Sequence, residues 1–120
     1  MAIKKTNACC DDKLNLPEEL EEGLCNVGGL TGLAEKVPGR AELSSQAEKF
    51  HALSDTIRLQ IMHALKQCDL CPCILKRVTG LSDSKLSYPL NILEKADLIE
   101  SHQVKNWRVY ALTQEARRYL

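Results

Sequence analysis

Residues 72–93 read PCILKRVTGLSDSKLSYPLNIL, and their turn signals and apolar spacing indicate the fold class. Pro72 suits the first turn of a helix, because its missing N–H is not needed there, and Gly80 has the flexibility that suits a turn. Ser82 can then cap the N-terminus of a second helix. The apolar face of that second helix is formed by Leu86, Leu90 and Leu93. A helix, a glycine-containing turn and another helix are the layout of a helix-turn-helix.

Elements predicted on either side of this stretch complete a winged fold. Two helices precede it, with a break near Ser54, and their apolar positions are Leu43, Ala47, Phe50, Ile57, Ile61 and Leu65. The alternating segments 98–103 and 107–112 follow it and predict two strands. Thr113 can cap a last helix that runs to Leu120. We therefore predict a mainly α winged helix-turn-helix with a two-stranded wing, which forms a homodimer through its terminal helices.

The first 40 residues differ from the rest of the chain. Five glycines and one proline between residues 23 and 39 interrupt any long periodic segment. One short helix can start at Pro17, where four following glutamates suit the positive end of the helix dipole. We predict an N-terminal arm with a possible short helix over residues 1–40, and a winged helix-turn-helix DNA-binding and sensor domain over residues 41–120.

Charge and composition exclude several classes of protein. The formal net charge of the 120 residues is zero, which argues against a polycation that coats nucleic acid, although residues 74–120 carry eight Lys or Arg against five Asp or Glu. No apolar run is long enough to span a bilayer, and the start lacks a signal-peptide core, so we expect a cytoplasmic protein. In a reducing cytosol, the six cysteines indicate metal binding or redox sensing rather than a disulfide framework.

Five short motifs occur in the order found in a known family. They are LSDTIRLQI at 53–61, LCPC at 70–73, SKLS at 84–87, ADLI at 96–99 and RVY at 108–110. Together they resemble the ArsR/SmtB metal-responsive repressors, over about the last two thirds of the chain. The resemblance implies a dimeric DNA-binding repressor, not an enzyme, that holds operator DNA when metal-free and releases it when a metal or metalloid binds.

The resemblance also assigns candidate metal ligands. In relatives, the LCxC thiolates bind arsenite, antimonite, cadmium or lead, which maps to Cys71 and Cys73, and N-terminal cysteines of the other protomer sometimes contribute, which suggests Cys9 and Cys10. On a regular helix, residues two apart point roughly 200° apart, so a shared ion requires an irregular first turn or a third sulfur. Cys68 is three residues before Cys71 and could supply it. Three sulfurs suit trivalent arsenic or antimony, and four suit cadmium, lead or zinc.

The candidate DNA contacts lie on the second helix of the helix-turn-helix and on the wing. On the polar face of that helix they are Ser84, Lys85, Ser87, Tyr88 and Asn91. On the wing they are Lys105, Asn106 and Arg108. Polar residues on a helix surface or at a hairpin tip are often simply solvated, and the family resemblance favours DNA contact. Pro89 departs from the family pattern, and we expect it to kink this helix.

Three other readings of the cysteines stay open. The thiols could form a redox sensor in which Cys71 pairs with Cys68 or Cys73 as a disulfide, or carries a persulfide. A thiol-disulfide enzyme is disfavoured, because no thioredoxin-like βαβ pattern surrounds the motif. A structural zinc site would show as unfolding on chelation.

Overall fold

The computed structural model describes residues 15–120, so Cys9 and Cys10 lie outside the described residues. The helices are α1 (Glu18–Asn26), α2 (Gly29–Lys36), α3 (Arg40–Leu53), α4 (Thr56–Gln67), α5 (Pro72–Thr79) and α6 (Asp83–Lys95), followed by strands β1 (Ile99–Val104) and β2 (Trp107–Leu112) and a 3₁₀ turn (Ala116–Arg118). The chain divides after Arg40 into two compact units. Between residues 15 and 120, no helix is long and apolar enough to cross a lipid bilayer.

The first unit contains two helices where the sequence predicted one. The helix expected from Pro17 begins one residue later, at Glu18, with Pro17 as its N-cap, and glutamates fill its first turn. The glycines that we interpreted as interruptions instead permit a tight link to α2. Gly28 has a φ of 95°, and a Cβ atom at Gly32 would overlap the carbonyl oxygen of Val27.

In the second unit, α4, α5, α6 and the hairpin enclose the apolar core. The largest fully buried side chains are Ile61, Met62, Leu65, Leu75, Leu93 and Leu98. The core positions predicted on α4 and α6 are therefore confirmed, apart from a half-buried Ile57. The positions predicted on α3 differ, because Leu43 and Phe50 are exposed and α3 buries only its last residues and Lys49.

A buried arginine joins α3 to α4. Asp55 is the N-cap of α4, and its carboxylate accepts a hydrogen bond from the backbone N–H of Arg58 at 3.1 Å. The Arg58 side chain turns back, and its Nε donates to the carbonyl oxygen of Ala52 at 2.7 Å. This bond satisfies a carbonyl in the last turn of α3 that has no partner within its own helix.

The hairpin follows the prediction closely, and the C-terminus does not. β1 and β2 are antiparallel, with Ile99 opposite Leu112 and Val104 opposite Trp107, so a two-residue turn joins them. The last helix that we predicted from Thr113 to Leu120 is wrong, since only a three-residue 3₁₀ turn forms there. Thr113 caps this turn as expected, by accepting from the N–H of Ala116. The next bonds run over three residues instead of four, which is usual in segments too short to offset helix nucleation.

Candidate functional site

The helix-turn-helix is built from α5 and α6. Gly80 ends α5 in a left-handed conformation with a φ of 76°, and its N–H donates to the carbonyl of Lys76 at 2.7 Å. The Ser82 side chain caps α6 by accepting from the N–H of Lys85. An ion pair of 3.0 Å between Lys76 and Asp83 joins the two helices across the turn. The turn predicted at Gly80 and the cap predicted at Ser82 are both confirmed.

The exposed face of α6 carries the five residues that we predicted to contact DNA. All five are exposed, namely Ser84, Lys85, Ser87, Tyr88 and Asn91. Tyr88 is the most accessible of the exposed large apolar side chains between residues 15 and 120, at 68%. The opposite face is buried through Leu86, Pro89, Leu90 and Leu93, and α6 continues past Pro89 without a break. The helix therefore presents one polar surface of suitable size for a major groove.

The wing places its three predicted contact residues in different surroundings. Lys105 and Asn106 form the turn at its tip, and Lys105 has a φ of 56°. Arg108 lies on β2, where its guanidinium donates to the Ser101 hydroxyl at 3.1 Å and lies 5.8 Å from the centre of the Tyr110 ring. Ser101 in turn donates to Glu94 of α6 at 3.5 Å. The side chain of Arg108 is thus linked to Glu94 of α6 through the hydroxyl of Ser101.

The cysteine pair Cys71 and Cys73 is brought together at the start of α5. Cys71 is the N-cap, with extended backbone angles of φ −84° and ψ 162°, so it lies outside the regular helix that Cys73 belongs to. The angle of roughly 200° that separates residues two apart on a regular helix therefore does not apply to Cys71 and Cys73. The two Cα atoms are 5.4 Å apart, and the sulfur atoms form a disulfide. An irregular first turn was one of the two arrangements that the sequence analysis offered for a shared ion, the other being a third sulfur.

The other predicted ligands do not join this pair in the described part of the chain. Cys68 follows the last residue of α4 and carries an exposed free thiol, while Cys25 is a half-buried free thiol in α1. Over residues 15–120, no three His, Cys, Asp or Glu side chains are grouped so that they could hold a metal ion. The described residues therefore bring together two of the five predicted ligands.

A short backbone bridge connects the cysteine pair to the wing. Leu70, directly before Cys71, pairs with Tyr110 of β2 in an antiparallel bridge. The N–H of Leu70 donates to the Tyr110 carbonyl at 3.0 Å, and the N–H of Tyr110 donates to the Leu70 carbonyl at 2.8 Å. Cys71 is therefore one peptide unit away from a residue that is hydrogen-bonded to the strand that carries the wing.

A cleft of about 560 Å³ lies between this region and α6. Its walls include Pro72 from between the two cysteines, Tyr110 from β2, and Ser87, Asn91 and Glu94 from α6. Sequence reasoning missed Glu94, Ser101 and Tyr110. Of these three, only Tyr110 could have been found from the sequence, because it belongs to the RVY motif. The hydrogen-bond partners of Glu94 and Ser101 depend on tertiary packing.

The comparisons with known proteins agree with this architecture. Residues 55–101 match the bacterial regulatory protein, arsR family. The chain is 40% identical over 74 residues to the arsenical resistance operon repressor of Bacillus subtilis, covering 61% of this chain and 70% of that protein. It is 27% identical to the transcriptional repressor SmtB homolog of Synechocystis, over 92% of this chain and 82% of the homolog. It is also 40% identical to the cadmium resistance regulatory protein CadC of Listeria innocua, over 45% of this chain and 46% of CadC.

A solved structure supports the fold. The homodimeric winged helix-turn-helix DNA-binding domain of Mb0332 from Mycobacterium bovis superposes with a TM-score of 0.62 at 24% identity, covering 70% of this chain and 81% of that one. The predicted winged helix and the predicted non-enzymatic, regulatory role are confirmed. The chain belongs to the arsR family of bacterial transcriptional regulators, which bind DNA through a winged helix-turn-helix.

Proposed function

We propose that the protein is a repressor that leaves its operator when a thiophilic metal or metalloid binds at Cys71 and Cys73. The observation that carries this proposal is the meeting of the two sulfur atoms at the N-cap of α5, the first helix of the helix-turn-helix. Relatives named for arsenical and cadmium resistance support a soft ion as the effector. Arsenite, antimonite, cadmium, lead and zinc are the candidates.

The donor set fits such an ion in part. Thiolates are the ligands that soft and borderline metals prefer, and the reduced pair would supply two of them. A trivalent metalloid requires one more sulfur, which Cys68 or one of Cys9 and Cys10 would provide. An arm cysteine would come from the other protomer in a dimer. The bound ion would supply strong metal–sulfur bonds that favour one geometry of the first turn of α5.

The effector signal would reach the DNA-binding surface by two connections. The Lys76–Asp83 ion pair links α5 to α6, and the Leu70–Tyr110 bridge links the cysteine segment to β2. A change at Cys71 would therefore alter the position of both elements that contact DNA. Because coupling is reciprocal, the operator must weaken ion binding by the same factor by which the ion weakens operator binding.

On the DNA side, we propose that the exposed residues of α6 enter the major groove. Lys85 and the hydroxyls of Ser84 and Ser87 would bind phosphates, and Tyr88 would lie against the DNA backbone. Asn91 would read a base edge. Lys105 and Asn106 at the wing tip would contact the backbone or the minor groove. The excess of positive charge in residues 74–120 is complementary to the negative charge of the duplex.

We also propose that the protein acts as a homodimer through α3 and the C-terminus. Phe50 of α3 is 53% exposed and packs edge-on against Tyr119, with ring centres 5.1 Å apart. Leu43 is also exposed and lies about two helical turns before Phe50 on the same face of α3. These residues form an apolar surface that a second copy would cover, and the Mb0332 domain is itself homodimeric.

The test is ion-dependent release from DNA. The reduced native protein is bound to a labelled duplex that it has selected from a random-sequence pool, and arsenite, cadmium or zinc is titrated in. We expect at least one ion to weaken binding by roughly 5- to 150-fold, the usual range of allosteric coupling. The double variant Cys71→Ser, Cys73→Ser should bind the duplex and ignore the ion. Cys25→Ser, which removes a thiol in α1, should respond like the native protein.

A different result would overturn the metal proposal. If DNA affinity is unchanged with all three ions, the cysteine pair is not a metal sensor. The bond between the Cys71 and Cys73 sulfurs supports a second candidate, a regulator switched by oxidation of that pair. That candidate predicts different DNA affinities for the reduced and the oxidised native protein in the absence of metal, with no difference in the double serine variant.

A further inference from the structure

The tip of the wing carries an apolar pair of side chains that the core does not use. Trp107 is 60% exposed and Val104 is 45% exposed. They are directly opposite each other in the strand register, on either side of the Lys105–Asn106 turn. Opposite residues of an antiparallel pair project to the same face, so the two side chains form one apolar edge at the end of the hairpin.

The position of this edge explains why the core leaves it exposed. Side chains alternate between the two faces of a strand, and Tyr110 and Leu112 of β2 are buried on the face opposite to Trp107. A short antiparallel hairpin holds the indole in a fixed direction away from the core. Large aromatic side chains that stay exposed on rigid elements commonly mark a binding surface, since they bury much apolar area with few rotatable bonds.

The surroundings of Trp107 favour nucleic acid as the partner. Lys105 lies two residues before it, in the turn at the wing tip, and residues 74–120 carry the basic excess. The hairpin packs against α6, so a duplex that lies along α6 extends toward the wing. A cationic side chain beside an apolar wedge is a combination that minor-groove proteins use to unstack a base step.

We propose that Trp107, supported by Val104, inserts into the minor groove beside the major groove that α6 occupies. This inference rests on the proposed binding of operator DNA by α6. Trp107 would thereby add sequence preference to the wing, which contacts from charged side chains to phosphates do not provide. Since an inserted side chain must open a base step, the wing site should prefer flexible pyrimidine–purine steps such as TA or CA.

The protein's own fluorescence tests this, because Trp107 is the sole tryptophan. Native protein is titrated with a selected duplex, and binding is followed independently by the anisotropy of a dye on the DNA. We expect indole emission to change in step with the anisotropy, and acrylamide to quench the indole less in the complex. Bound duplex with unchanged indole emission and quenching would overturn the wedge alone. Failure of the native protein to bind any duplex would overturn both the wedge and the proposed function.

Substitutions give a second, independent readout. Trp107→Ala should weaken binding to the selected duplex by about tenfold, with the salt dependence unchanged because no charge is removed. Trp107→Phe should lose less, and Leu20→Ala, which truncates a side chain of similar exposure in α1, should bind like the native protein. Thermal unfolding confirms that each variant is folded. Native-like affinity of Trp107→Ala would contradict the wedge, as would an indole already shielded from acrylamide in the free protein.

Discussion

Pro89 lies in the interior of α6, where proline usually destabilises a helix. It cannot donate a hydrogen bond to the carbonyl of Lys85, which costs up to about 3 kcal/mol. Its ring is buried beside Leu86, Leu90 and Leu93, so apolar burial offsets part of this cost. The expected kink does not interrupt the helix, and the proline leaves the polar face of α6 exposed for DNA.

At this residue the two opposing effects can be compared. Pro89→Ala restores the backbone N–H and removes two ring methylenes, each worth about 0.8 kcal/mol of burial. The hydrogen bond and the relief of the steric clash exceed that loss, so we expect the free energy of unfolding to rise by about 1 kcal/mol. Urea denaturation followed by circular dichroism measures it. A lower free energy of unfolding would mean that ring packing contributes more than the broken backbone bond costs.

At the scale of elements, side-chain bonds between α6 and the hairpin orient the wing. Arg108 donates to Ser101, and Ser101 donates to Glu94 of α6. These groups are partly exposed, so the bonds add little to global stability. Their effect is geometric, because they connect the strand that carries the wing tip to the helix that we propose reads the major groove. We therefore interpret Arg108 as a residue that positions the wing rather than one that binds a phosphate.

The salt dependence of DNA binding separates these two roles. Each phosphate contact contributes about 0.9 to the slope of log affinity against log salt concentration. Lys105→Gln should weaken binding and reduce the slope by about one, since we expect Lys105 to contact a phosphate. Arg108→Gln should weaken binding with the slope unchanged, and Glu94→Gln should reproduce part of that loss. If Arg108→Gln also reduces the slope by about one, the guanidinium leaves Ser101 and binds the backbone.

At the scale of the whole molecule, the elements from α4 to β2 could be predicted because their signals are local. The Ser82 cap, the left-handed Gly80 and the spacing of Leu86, Leu90 and Leu93 each act within a few residues. Alternation alone predicted the two strands. The cysteine pair was predicted from the family resemblance, and helix geometry allowed either an irregular first turn or a third sulfur; the structure has the irregular turn, with Cys71 as the N-cap.

Other features depend on contacts that spacing does not reveal. α2 forms because Gly28 and Gly32 allow a close approach, whereas glycines are ordinarily interpreted as interruptions. Phe50 has the helical spacing of a core residue and is exposed, because α3 buries only its last turn. The Leu70–Tyr110 bridge joins residues far apart in sequence, so the connection from the cysteines to the wing emerges only in three dimensions.

The central claim is that ion binding at Cys71 and Cys73 and operator binding oppose each other. The most direct measurement is the affinity of the reduced native protein for the effector ion, by calorimetry, with and without saturating selected duplex. The claim predicts that duplex weakens ion binding by the same factor by which the ion weakens duplex binding. Equal ion affinity in the two conditions, with DNA bound throughout, would contradict it.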